Sequence, residues 1–395
     1  IHADLDALVQ SSRDADGPTL ALLRCSSAVA PAASARAAAL PEPDLLLRDF
    51  TRPGLDLQWR RTSYSALAGR LGEVAPAESP APTPDDLEGR DYDAAPMPVD
   101  EAPVAPTQGS STGGLLDLPG GLRTGKYVHK LLELVDFTSC REKAPPRRDL
   151  PALAIDLGRR MGFPDLRWPR VVAEALPSVL ETPLGPALGD ACLADLPANA
   201  RLDEWSFDLA LAGGERWRAG AAAVTARDFA EVFQRRAPDD VLRREYLTSL
   251  SSARWQPLCG FLTGSIDLLA QLAGPAAEEG RASRWYVVDY KTNRLAGGDY
   301  RHAALRAAME AHHYPLQYHL YLVALHRYLR WRLGDAYDYD RHVGGAVYLF
   351  LRGLSGATAR PEADGRVPGV FHDRPPREVV EGLSDLFDQP AGGGT

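Results

Sequence analysis

Cysteine is scarce and scattered: Cys25, Cys140, Cys192 and Cys259 are the only four in 395 residues, and no Cys-x-x-Cys occurs. That spacing argues against a zinc ribbon or a thiolate-held iron–sulfur cluster. It also supplies no disulfide framework, so the thiols are read as reduced, in a cytoplasmic protein. No apolar run approaches the roughly 18 residues of a transmembrane helix. The first residues, Ile1, His2, Ala3 and Asp4, lack the basic start and apolar stretch of a signal peptide. A chain opening on Ile in place of Met is expected to be a fragment or a processed form. Positive charge is in deficit as well, with a net of −9, which disfavours a phosphate-rich partner until the charge is located along the chain.

The deficit is local. Between Leu71 and Gly114 nine acidic residues stand against Arg90 alone, among eight prolines. This composition buries too little apolar surface to offset the entropy of ordering, and residues 71–114 are expected to be a disordered or extended linker. The rest is close to neutral and leaves room for local basic faces. The doublets Arg147–Arg148, Arg159–Arg160, Arg235–Arg236 and Arg243–Arg244 are candidates, each read first as a solvated helix face. Residues 1–70 mix short helical stretches with turns and are too irregular for a complete domain.

Residues 115–395 read as a folded α/β unit. Helical spacing runs from Tyr127 to Val135, and further helices over 150–190 are expected to break at Pro164, Pro169, Pro177 and Pro183. Trp205, Phe207 and Leu209 alternate with polar neighbours as in a strand. One long helix is expected from about 301 to 333, then a buried strand from Gly345 to Leu351.

Two apolar segments carry the chemistry: Gly264-Ser265-Ile266-Asp267-Leu268-Leu269 and Trp285-Tyr286-Val287-Val288-Asp289-Tyr290-Lys291. In the second, strand alternation puts Val287, Asp289 and Lys291 on one face, opposite Tyr286, Val288 and Tyr290. Asp289 lies 22 positions after Asp267, and the stretch between, Gly274 to Ser283, is polar and Gly-bearing and suits a connection between adjacent antiparallel strands. Two carboxylates and a Lys then share one pocket. Mg²⁺ prefers oxygen ligands and binds through one or two carboxylates plus a substrate phosphate, so Asp267 and Asp289 suffice as anchors. Metal-bound water is a stronger nucleophile, and Lys291 can orient it or neutralise transition-state charge. The set reads as a metal-dependent nuclease site. Asp-x-Lys alone is weak, since a solvated strand edge carries the same residues.

His129 follows in Tyr127-Val128-His129-Lys130-Leu131-Leu132, near the edge of a buried helical face, where it can project into the site. Gly120 to Lys126 fits Gly-x4-Gly-Lys, but Tyr127 stands where a phosphate loop needs a hydroxyl, and no hydrophobic strand precedes it. His312 and His313 are adjacent and diverge around a helix, which sets a zinc pair aside. Gln317 and Tyr321, four apart, share one helical face and suit contacts to DNA or support of the site.

Taken together, His129, Gly264-Ser265-Ile266-Asp267, Asp289-Tyr290-Lys291 and Gln317-x-x-x-Tyr321 resemble the nuclease domain of the RecB family, in type, order and spacing. The likeness covers about Leu115 to Leu386, and the Trp59–Ser65 segment resembles the stretch just before that family's linker. It implies a restriction-endonuclease-like (PD-(D/E)XK) core, an α/β mixed sheet flanked by helices. A disordered acidic Pro-rich linker and a small helical remnant of a helicase region would precede it. It further implies one Mg²⁺, with a second ion possible, held by His129, Asp267, Asp289 and the main-chain carbonyl of Tyr290, with Lys291 catalytic. Exodeoxyribonuclease V-type activity follows, on DNA that is chiefly single-stranded at the site, with RecC and RecD subunits as partners in resecting double-strand breaks for recombination. An ATP-driven helicase would belong to the parent, since no working phosphate loop is present here. Two rivals are an iron–sulfur nuclease of the AddB or Cas4 type, disfavoured by the scattered cysteines, and a catalytically silent DNA-binding or assembly module, disfavoured by retention of Asp267, Asp289 and Lys291.

Overall fold

Strand alternation settles the centre of the molecule. The computed structural model describes residues 13–14, 17–18, 60–68, 115–140, 149–211, 224–236, 244–252, 258, 260–273 and 283–388. The chain divides into two units, Ile1–Leu55 and Asp56–Thr395. In the first, Arg13–Asp14 pairs antiparallel with Gly17–Pro18. The expected linker over 71–114 lies outside the described residues.

The second unit is built on one sheet. Its strands are β1 (Arg60–Ser63), β2 (Arg201–Leu211), β3 (Gly260–Ala273), β4 (Ser283–Lys291), β5 (Val343–Phe350) and β6 (Val370–Asp373). The path runs β1-β3-β4-β5-β6, with β2 pairing the other edge of β3. β4 and β5 are parallel and the β3–β4 and β5–β6 pairs antiparallel, so the sheet is mixed. Val287 of β4 and Ala346, Tyr348 and Phe350 of β5 face one core, while Tyr286, Val288, Tyr290, Val347 and Leu349 face the other. Such two-sided burial requires helices on both faces.

On one side lie α2 (Leu122–Leu134), α3 (Asp149–Arg160) and α4 (Arg167–Leu180). The other carries α1 (Tyr64–Ala68), α5 (Ala226–Arg236), α6 (Arg244–Ser252), α7 (His302–Ala311), α8 (Tyr314–Leu333) and α9 (Arg377–Asp388). None of these described helices is long and apolar enough to cross a membrane.

Three expectations change. Residues 60–68, assigned from composition to the region before the linker, join this sheet: β1 runs parallel to β3, from Arg60 opposite Gly260 to Ser63 opposite Thr263. Tyr64 and Leu67 are buried behind it, and the Tyr64 hydroxyl donates to the His312 carbonyl at 2.9 Å. The single helix over 301–333 is two, α7 and α8, because Pro315 lacks the N–H that would bond the Ala311 carbonyl and its ring would strike that oxygen. The chain turns at His313 (φ 57). Finally, α4 runs through Pro169 and Pro177; Pro169 occupies the first turn, where its N–H is not needed.

Gly125 and Lys126 lie inside α2, so that segment is no phosphate-wrapping loop. Of the Arg doublets, Arg159–Arg160 closes α3, with Arg160 2.7 Å from Asp156. The side chains of the other three doublets lie outside the described residues.

Candidate active site

The site lies where β3 forks. One edge of β3 pairs β1 as far as Thr263 and pairs β4 only from Leu268 onward. Asp267 and Asp289 are the next residue on each strand beyond the Leu268↔Val288 rung, where the two backbones part. In the opening, the Tyr290 N–H donates to Asp267 Oδ2 at 2.8 Å. A residue's N–H and C=O point to the same side of an extended strand, so the Tyr290 carbonyl is directed to the same edge.

Asp267 also marks a change of face. Ile266 packs into the α8 core and Leu268 into the α2 core, although residues two apart in a regular strand share a face. On β2, the paired strand, Trp205 and Phe207 pack toward α8, while the Arg201 guanidinium lies 3.9 Å over the Phe137 ring in the opposite core. Glu204, between them, has φ 47. A non-glycine residue in this left-handed region costs about 1–3 kcal/mol. Both strands therefore twist over between the Asp203↔Leu268 and Trp205↔Ile266 pairs, bringing the carboxylates of Glu204 and Asp267 to the fork.

Around it, His129 Nδ1 from α2 lies 3.3 Å from Asp267 Oδ1. Ser265 Oγ donates to Glu204 Oε2 at 3.2 Å. One ligand atom from each of His129, Glu204 and Asp267 lies within 4.8 Å of the others. Ligands about 2.0–2.6 Å from a shared divalent ion are separated by no more than roughly 5 Å, so the donor set fits such a cation. Burial raises the Asp267 pKa, but His129, Lys291 and the Tyr290 N–H outweigh it and hold the carboxyl below its usual range. Desolvation, and then the charge of Asp267, push the Glu204 carboxyl up, against its Ser265 bond.

Asp289 and Lys291 project from the α8 face of β4. Lys291 Nζ is 2.8 Å from Asp289 Oδ2, and these side chains are 5% and 4% exposed. The ammonium also lies 4.1 Å over the Tyr314 ring and 5.4 Å over that of Tyr348, a cation–π setting that suits a buried charge. Beneath the pair, the Tyr348 hydroxyl donates to Gln317 Oε1 at 2.8 Å and Gln317 Nε2 donates to the Tyr321 hydroxyl at 3.1 Å. Burial and then the charge of Asp289 push both phenols well up, so they stay neutral and frame the ion pair.

Of the expected ligands, the structure brings His129 and Asp267 together; Asp289, one residue past the last β3–β4 pair, is engaged by Lys291 and is not among the three residues whose ligand atoms cluster. Glu204 was not foreseen. Its only mark in the sequence is a second acid, beside Asp203, at the point where the β2 alternation changes face. His312 and His313 stay with packing: the His312 ring stacks on Tyr314 and that of His313 lies 5.7 Å from Tyr246.

The PD-(D/E)XK nuclease superfamily model matches residues 116–387, a span that holds every one of these side chains. The chain belongs to that superfamily. Within it, this nuclease domain is of the RecB type. The chain is 38% identical over 363 residues to the RecBCD enzyme subunit RecB of Mycobacterium tuberculosis (strain CDC 1551 / Oshkosh), covering 89% of this chain and 30% of that protein. The RecB subunit of Mycolicibacterium smegmatis is 35% identical over 371 residues, 89% of this chain and 31% of the relative. That of Escherichia coli K12 is 31% identical over 331 residues, 83% and 23%. The nuclease thus spans under a third of the length of these relatives.

Proposed function

We propose that this nuclease is the C-terminal cutting part of a RecB subunit and hydrolyses DNA phosphodiesters with Mg²⁺. His129, Asp267, Asp289 and the Tyr290 carbonyl would hold the ion, as inferred from the sequence, and Glu204 joins them. The observation that carries the reading is the convergence at one fork of the His129–Glu204–Asp267 cluster and the Asp289–Lys291 pair. A bound Mg²⁺ supplies an acidified water and screens charge on the phosphate oxygens. Lys291, fixed by Asp289 and the Tyr314 ring, donates to the negative charge that develops as water oxygen bonds to phosphorus and the bond to the leaving sugar oxygen breaks. Gln317, Tyr321 and Tyr348, hydrogen-bonded to one another with the Tyr348 ring facing Lys291, would support that pair and stay off the reacting atoms.

The names of the relatives extend the proposal to a RecBCD-type assembly, and the family resemblance adds RecC and RecD partners and the resection of double-strand breaks. A motor in the rest of the parent would deliver single strands. Residues 1–59 would then end the preceding region, with 71–114 as a linker, although 60–68 belong to the nuclease sheet.

The test uses the 395-residue chain with single-stranded and duplex oligonucleotides, in Mg²⁺ or EDTA, with and without ATP. Single strands should be cut in Mg²⁺ alone, with affinity falling steeply as salt rises. Asp267→Ala should lose both cleavage and the calorimetric signal of Mn²⁺ binding. Mg²⁺-independent cutting, or duplex digestion that needs ATP, would refute the assignment. No cutting at all would favour the silent module.

A further inference from the structure

A continuous row of aromatic rings leads from the candidate site to the surface. Tyr321, bonded to Gln317 beneath the Asp289–Lys291 pair, meets Phe207 edge-on at 5.7 Å. Phe207 lies 6.1 Å from Trp205, Trp205 lies 5.1 Å from Tyr328 on α8, and Tyr328 lies 6.1 Å from Trp331. Gly264 makes room for the row where it crosses β3, since a Cβ there would stand 2.6 Å from the Phe207 ring. Exposure rises outward: Tyr321 is 6% exposed and Trp331 74%, the most exposed large apolar side chain among the described residues. Ten helical residues separate the two, about 15 Å along α8.

The outer end of the row is basic. Residues 327–333 read Arg-Tyr-Leu-Arg-Trp-Arg-Leu, with no acid. Arg327 is committed to Ser384 and Asp388. Among the described residues, Arg330 and Arg332 have no carboxylate at ion-pair distance, and the Arg332 guanidinium lies 5.6 Å from the Trp331 ring. An exposed ring, two cations beside it and a path back to the cutting residues form the combination that binds single strands: bases stack on the ring and phosphates meet the arginines. A protein partner would be expected to meet a broader apolar patch.

We infer that Trp331, with Arg330 and Arg332, is a stacking platform that grips single-stranded DNA outside the catalytic fork and aligns it along the Trp205–Tyr328 row toward Lys291. The inference rests on the nuclease reading above and adds a subsite to it. Base stacking on one aromatic ring changes affinity by about 5- to 150-fold.

The experiment measures binding of the 395-residue chain to oligo(dT) and to an abasic oligomer of equal length, in EDTA so that nothing is cut. Wild type should prefer oligo(dT). Trp331→Ala should weaken oligo(dT) binding within that range, leave the abasic oligomer unchanged and so erase the preference, while Trp331→Phe restores most of it. In Mg²⁺, Trp331→Ala should raise KM for oligo(dT) and keep kcat. Equal affinity of wild type for the two oligomers, or a Trp331→Ala variant that binds oligo(dT) like wild type, would overturn the platform and leave this face to a protein partner. If wild type cuts in Mg²⁺ while either of those results holds, only the platform fails. If the stacking results hold but wild type does not cut, the nuclease reading fails instead.

Discussion

Replacing Lys291 by Met removes a charge and keeps most of the volume, so its effect isolates the ion pair. The ammonium and the Asp289 carboxylate are 2.8 Å apart and almost wholly out of solvent. Taking one partner from such a pair costs about 3–5 kcal/mol, because the remaining charge keeps its desolvation penalty and loses its counter-charge. Asp289→Asn should cost a similar amount, eased by the Tyr314 and Tyr348 rings that face the ammonium. The double variant should lose much less than the sum, with a coupling of about 1–3 kcal/mol. Urea unfolding followed by circular dichroism in EDTA reads all three variants. On the functional side, Lys291→Met should slow cleavage by about 10²–10³-fold, the usual cost of losing one transition-state donor. Its calorimetric Mn²⁺ affinity should stay close to wild type. Additive single effects below about 1 kcal/mol would show the pair to be solvated and refute the packing argument. Equal loss of Mn²⁺ affinity in Lys291→Met and Asp267→Ala would refute the division of roles.

Glu204→Gly should stabilise the protein by about 1 kcal/mol through release of the left-handed backbone, and should weaken Mn²⁺ binding and cleavage; a destabilised variant with full affinity would contradict both halves. Burial lowers the pKa of His319 and of His326 to about 4, so the unfolded chain takes up protons first as pH falls. Stability should be complete above pH ~6.5 and drain away toward pH ~4, by about 2 kcal/mol per histidine at pH 5; urea midpoints that stay flat from pH 7 to 5 would exclude this. Deleting Val74 to Thr107 should leave Mg²⁺-dependent cleavage of an oligonucleotide unchanged, given the acidic, Pro-rich composition there, and a fall in rate or in thermal midpoint would show that the segment packs.

The central strands were legible because β4 and β5 obey the two-residue period without exception from Tyr286 to Lys291 and from Ala346 to Phe350. That period alone puts Asp289 and Lys291 on one face. The Gln317–Tyr321 contact followed as directly from the helical repeat. Glu204 was hidden because a left-handed Glu leaves no compositional trace: its place is set by the twist of β2 against β3 at the interruption between the Asp203↔Leu268 and Trp205↔Ile266 pairs, a property of two strands far apart in sequence. The pairing of β1 escaped for a related reason. Four residues, Arg60 to Ser63, carry too little pattern to announce a partner some 200 positions away. Pro315 was visible, yet the helix period continues across it on both sides, and the steric conflict with Ala311 was the stronger signal.

Arg352 gathers five backbone carbonyls, those of Leu115, Leu116, Leu118, Pro119 and Thr292, at 2.7 to 3.2 Å, and Arg294 shares Leu116 and Leu118. The four carbonyls from 115 to 119 precede α2; Thr292 follows Lys291, and Arg352 itself follows β5. A pull on residue 115 therefore meets several hydrogen bonds loaded in parallel, riveted to the ends of the two central strands, before it reaches α2. Tension is grounded in the sheet beside Lys291, and His129, a helix turn and more beyond the rivet, is shielded from it. Motion of the chain just ahead of residue 115 is in this way kept from the His129 ligand on α2.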